Sequence, residues 1–176
     1  MANEFQGIGE ITAGTSPSAE QVDQIYDLIL NAPESEHEDL IQELANEYPD
    51  SSGEILSELI AAHPEDVEEI ATATAAALPE AAAEVAAAVA EVAPESATEI
   101  ATQMAQTNPE AAQAVAQAVT EANPEAAAEI AIAMAEAAPS AAADIAAGVA
   151  EANPEAAAEV ATSVAEIAPT AVAEIA

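Results

Sequence analysis

Eleven prolines, at positions 17, 33, 49, 64, 79, 94, 109, 124, 139, 154 and 169, punctuate this chain of 176 residues. The first two intervals are 16 residues, every later one is 15, and no proline lies off the lattice. Inside a helix proline removes a backbone donor and clashes with the preceding turn, at a cost of about 3 kcal/mol. No helix therefore runs through the lattice. A continuous right-handed coiled coil, which a period of about 3.75 residues per turn would otherwise suit, is excluded for the same reason. A repeat of this regularity decides the fold class before composition is considered.

With Pro as position 0, position +6 is Ile55, Ile70, Val85, Ile100, Val115, Ile130, Ile145, Val160 and Ile175. Position +10 is Leu59, Thr74, Val89, Met104, Val119, Met134, Val149 and Val164. Position +5 is acidic from Glu54 onward except at Ala114, and +12 is mostly acidic from Glu91 onward. At 100° per residue, positions +3, +6, +10 and +13 form an apolar stripe opposite a polar one at +1, +5, +8/+9 and +12. The flanks at +2, +4, +7 and +11 are largely Ala, which lets helix axes approach near the lower end of the roughly 8–10 Å range. A disordered chain has no use for such a register of Ile, Val and Met. Each unit reads as a helix of about 11–12 residues, roughly 17 Å long. Proline fits the first helical position, and Glu at +1 suits the helix dipole. The preceding residue, Asn at 108, 123 and 153, caps the new helix or ends the old one in the left-handed region.

The expected fold is all-α: an α-solenoid of right-handed type, with short antiparallel helices in two layers, units of ~15 residues and Pro at each helix N1. Its repeat core is Ile70, Val85, Ile100, Val115, Ile130, Ile145 and Val160. A structural period of 15 or of 30 residues is open. The late units at Pro124 and Pro154 start Pro-Glu, whereas those at Pro139 and Pro169 start Pro-Ser and Pro-Thr. The pattern resembles α-solenoids as a class, such as HEAT and tetratricopeptide arrays, without their longer periods of about 34–47 residues.

Three regions are expected: a non-repeat arm over 1–16, divergent capping helices over 17–63, and one continuous regular solenoid over 64–176. The cap is richer in large side chains, and Tyr26, Leu28, Ile29, Leu40, Ile41 and Leu44 are expected to be its best-packed part. Phe5, Ile8 and Ile11 of the arm either fold back on the cap or insert into a neighbouring subunit. The last unit stops at +7, so Ile175 is expected to meet the next copy, unless the native chain is longer. These four residues are the assembly candidates.

Charge narrows function. The chain has 34 acids and neither Lys nor Arg, for a net charge of −34. Average usage would place about 20 basic residues here. Binding to nucleic-acid phosphates is excluded, and anionic membranes repel the chain. No apolar run is long enough for membrane insertion, the N-terminus lacks a Sec signal pattern, and there is no cysteine. No Ser-His-Asp spacing, phosphate loop or EF-hand motif is present, so no catalytic, cofactor-binding or metal residue is assigned and no enzyme is expected. His63, in the pre-proline position, is expected to cap. Cofactors are not expected; Ca²⁺ is expected to condense diffusely on the acidic stripes rather than at a defined site.

The function expected is structural: a self-assembling subunit of an extracellular or surface filament or matrix, stacking head-to-tail with itself. The alternative is a protein-binding scaffold with an acidic face. The location expected is extracellular or cell-surface by a non-Sec route, or a salt-rich cytoplasm. Because like charges at i,i+4 oppose folding, the melting temperature should rise with NaCl, with CaCl₂ and with falling pH. A thermal melt unchanged across NaCl concentration would rule out electrostatic self-repulsion as a brake on stability.

Overall fold

A computed structural model describes residues 17–168. Among the described residues, ten α-helices follow one another: α1 (Ala19–Leu30), α2 (Glu34–Glu47), α3 (Ser52–Ala62), α4 (Val67–Ala77), α5 (Ala82–Val92), α6 (Ala97–Thr107), α7 (Ala112–Ala122), α8 (Ala127–Ala137), α9 (Ala142–Ala152) and α10 (Ala157–Ile167). From α3 onward each has 11 residues. A capping box opens α1, where the Ser18 hydroxyl accepts from the Gln21 N–H and the Gln21 side chain accepts from the Ser18 N–H.

One device ends every regular helix. From Pro49 onward the residue before each proline donates a last α-type bond to the carbonyl four residues back, as in His63 to Leu59, Asn123 to Val119 and Ala138 to Met134. Its backbone then leaves the helical region: φ/ψ is −127°/67° at His63, −134°/71° at Asn123 and −126°/69° at Ala138. Steric conflict with the proline ring forbids the helical conformation there. The next turn closes at once, because the N–H at +2 donates to the carbonyl of the pre-proline residue (Ala111 to Asn108, 3.1 Å; Ala141 to Ala138, 2.9 Å).

This refines two expectations. The asparagines are not left-handed: Asn108 has φ −138° and Asn153 φ −133°. Two of them still cap. The Asn108 side chain accepts from the Glu110 N–H, and that of Asn153 accepts from Ala156 while donating to the Pro124 carbonyl at 2.9 Å. The prolines open the turns, and the α-helix proper starts three residues later; Pro64, Pro109, Pro124 and Pro139 head short 3-10 turns, and Pro33 is the N-cap of α2.

Alternate helices form two layers. Helices α1, α3, α5, α7 and α9 pack on one another in sequence, and α2, α4, α6, α8 and α10 do the same. Consecutive helices join the layers. The structural period is therefore two units, and burial shows it. In the odd layer, position +2 is buried at Ser51, Ala81, Ala111 and Ala141, whereas Asp66, Ser96, Ala126 and Ala156 are not. In the even layer, position +14 is buried at Leu78, Ala138 and Ala168, with Asn108 of α6 half-buried as the exception; in the odd layer His63, Ala93, Asn123 and Asn153 are all only half-buried.

All seven repeat-core residues, Ile70, Val85, Ile100, Val115, Ile130, Ile145 and Val160, are buried. The apolar arc is rotated from the expected one. None of the +13 residues from Ala62 to Ile167 is buried, but the supposed flank at +7 is, from Leu56 to Ala146. A helix covered by two neighbours in its own layer and by the opposite layer buries more than a single stripe, and small residues fill the added contact. The large, fully buried side chains are concentrated early, in Ile25, Ile29, Ile41 and Leu44 and above all in Ile55, Leu56, Leu59 and Ile60 of α3. Tyr26 and Leu28 pack against this cluster only partly buried.

Gly148 shows how closely the odd layer packs. A Cβ placed there would run into the carbonyl oxygen of Gln113 on α7. At Gly53 in α3 the obstacle is instead the carboxylate end of Glu84, a movable group. Ala normally gains about 1 kcal/mol over Gly in a helix. Gly53→Ala should therefore raise stability by up to about 1 kcal/mol, while Gly148→Ala should lower it by about 1–3 kcal/mol through overpacking. Chemical denaturation of both variants checks the opposite signs.

Candidate functional site

Acidic side chains of the described residues gather in two clefts, a smaller one lined by Asp50, Glu54, Glu80 and Glu84 and a larger one that also holds a histidine. The larger is an open cleft of about 490 Å³ where α2, the turn at residues 64–66 and α4 meet. Six carboxylates line it (Glu34, Glu38, Glu65, Asp66, Glu68 and Glu69), together with His37, Thr72, Ala73 and Thr107. The stacking of α2 on α4 brings these acids together, because the outward stripes of even-layer helices lie side by side. Without Lys or Arg, amides take over some cross-helix pairing: Gln103 of α6 donates to Glu68 of α4 at 2.9 Å.

His37 forms the floor of this cleft and is 3% exposed. Its Nε2 lies 2.9 Å from the carbonyl oxygen of Ala32, in the α1–α2 connection, and its Nδ1 lies 3.0 Å from Oε1 of Glu69 on α4. Nothing in the repeat pattern signals this role, because His37 lies in a 16-residue unit off the regular register. The one sequence signal is its place on the apolar side of an amphipathic helix, one turn ahead of Leu40 and Ile41.

His63 sits nearby and differs from expectation. Its backbone occupies the cap of α3, but its side chain makes no capping bond. The ring stacks on Tyr26 instead, with centroids 3.6 Å apart and planes 13° from parallel. Its nitrogens approach Asp23 and Glu65 only to 3.8 and 3.9 Å. Stacking outcompetes capping because α1 places an aromatic face directly over the end of α3. The Tyr26 hydroxyl donates to Oδ2 of Asp66 at 2.7 Å. That bond, then burial and the negative charges of Asp66, Glu65 and Asp27, push the phenol from the ordinary 10.0 up to about 12. Burial, with the Glu47 charge second, also raises Tyr48.

Among the described residues, no three His, Cys, Asp or Glu side chains are placed to hold a metal ion, and no helix is long and apolar enough to cross a membrane. The assembly candidates Phe5, Ile8, Ile11 and Ile175 lie outside the described residues. The arrangement that remains offers negative potential, hydrogen-bond acceptors and a buried imidazole between two acceptors. No protein-family model, curated protein or solved structure matches this chain.

The raised Tyr26 phenol sets a linkage with a definite sign. Folding favours the protonated phenol, so its contribution is complete below pH 10 and is lost as pH rises toward 12. In a Tyr48→Phe background, tyrosinate absorbance should appear near pH 12 in the native protein, and Asp66→Ala should move it toward 10. An unchanged titration in Asp66→Ala would remove the hydrogen bond as the cause.

Proposed function

We propose that this protein is structural: a self-assembling helical repeat subunit of an extracellular or surface filament or matrix, with copies stacked head-to-tail. One observation carries the reading. The chain's stacking surface is self-similar: α6 on α8 and α8 on α10 meet through faces of the same pattern. Ala127, Ala131 and Ala135 of α8 are buried there, and Ala161 occupies the matching, half-buried face of α10. The complement of that face is a helix of the same pattern, and repeated contacts of this heterologous kind do not close on themselves. The reading is non-enzymatic, with the chain itself as partner and neither nucleic acid nor a membrane interior as target.

The charge of −34 opposes association, so assembly depends on screening. An extracellular or cell-surface setting, or a salt-rich cytoplasm, supplies the ions. Electron microscopy and sedimentation of the purified protein across NaCl and CaCl₂ should show fibres or large assemblies at high salt. Ala161→Glu, which adds a charge to the half-buried face, should suppress them while leaving the helical signal intact. Monomers under every condition would overturn the reading.

The acidic cleft favours a second reading, a scaffold that holds a basic peptide or protein. Its mark would be saturable binding of an oligolysine peptide that weakens steeply with salt and is lost in Glu65→Gln/Glu68→Gln. Equal binding by that variant would leave only nonspecific attraction.

A further inference from the structure

Only two side chains of this protein other than its terminus are able to carry positive charge, and both lie at the seam between the first helices and the stack. We propose that His37 is a proton-operated clasp, which fastens the α1–α2 cap to α4 when the ring is doubly protonated and loosens it when the ring is neutral.

The geometry supplies the argument. Both ring nitrogens face oxygen acceptors, the Ala32 carbonyl at 2.9 Å and the Glu69 carboxylate at 3.0 Å. A carbonyl has no proton to give, and an ionised carboxylate has none either. A neutral imidazole carries one N–H, so it satisfies one acceptor and turns a lone pair toward the other. The imidazolium donates to both. One contact holds the chain between α1 and α2, and the other crosses to α4, so the second proton links two parts of the fold that the first cannot link alone. The His37 side chain is 4% exposed whereas the Glu69 side chain is 37% exposed, so an unmade bond leaves the ring nitrogen rather than the carboxylate without a partner.

The charged surroundings offer no competing donor. Glu34 and Glu38 of α2, Glu65 and Asp66 of the following turn, and Glu68 of α4 line the same cleft as Glu69. None of the cleft lining comes from α1. Every charged group lining the cleft is therefore an acid, and no cation competes with the ring for Glu69. His63 is no substitute, because its carboxylates stand at 3.8 and 3.9 Å, beyond hydrogen-bond range. Histidine is the side chain suited to such a change between about pH 5 and 8. Acid closes the clasp, and rising pH opens it.

The test uses the full chain. Nitrogen-15 spectra of the histidine rings and native-state hydrogen exchange, corrected for intrinsic rates, are recorded from about pH 5 to 8. The expected result is a His37 ring bearing protons on both nitrogens at the acid end and losing one as pH rises. Protection of α1 and α2 relative to α7 and α9 should fall about tenfold over the same range, the order expected for one charge-assisted bond. Taking the ratio removes the general effect of carboxylate repulsion. In Glu69→Gln, whose amide can donate to a neutral ring, the ratio should change less than about twofold. A ratio that falls equally in both proteins, or a His37 ring with a single N–H throughout, would overturn the proposal. Should the variant fail to fold, the ring protonation and exchange ratio of the unmodified chain decide the question.

Discussion

The architecture depends on one steric exclusion: a residue followed by proline cannot be helical. From Tyr48 to Ala168 the pre-proline residues all take φ between −138° and −124°, whatever their side chain. His, Leu, Ala and Asn occupy this place with nearly the same backbone. The connection between consecutive helices is thereby reduced to one non-helical residue and a proline-led turn, with a hydrogen bond on each side. A connection this short brings consecutive helices back against one another, and repeating it at a fixed interval gives every helix equivalent neighbours.

Alanine then sets how the layers meet. A surface of methyl groups has little transfer energy per residue, so cohesion comes from close approach and many weak contacts. Gly148 against the Gln113 carbonyl is the limit of that approach. The large aliphatic side chains collect in α1 to α4, and the later units rest on them mainly with Ile, Val, Met and Ala. Stability should thus decline from the cap toward the regular units, a gradient that quasi-one-dimensional stacks sustain because each unit contacts only its neighbours.

Electrostatics runs against this packing. With 34 acids and no Lys or Arg, the protein has no ordinary salt bridge to offer, and its polar ties use what is left. Gln103 reaches Glu68, Asn153 reaches the Pro124 carbonyl, Tyr26 reaches Asp66, and His37 spans Ala32 and Glu69. Most of these cross between helices that are not consecutive, where they add positional information to an interface of smooth alanine surfaces. The cap holds both histidines and both tyrosines, so it differs from the stack in chemistry as well as in side-chain size.

The local structure was legible in the sequence because its causes are local. Proline spacing sets helix length, the pre-proline clash sets the turn, and the Ile/Val/Met register identifies the buried line from Ile70 to Val160. Other features needed the folded chain. The two-unit period arises from which layer a helix occupies, and the sequence carries it only faintly, in the late alternation of Pro-Glu with Pro-Ser and Pro-Thr. The burial of +7 in place of +13 follows from contact on three sides, which a helical projection of one unit does not contain. The cleft was not legible, and its histidine was marked only by its place on the apolar side of α2: Ala32, His37 and Glu69 come together because α2 stacks on α4, and no pattern within a single unit records that neighbour. The sequence by itself determined the helices and the places where they stop. The tertiary structure decided which faces meet, because that depends on stacking two helices that are not adjacent in the chain.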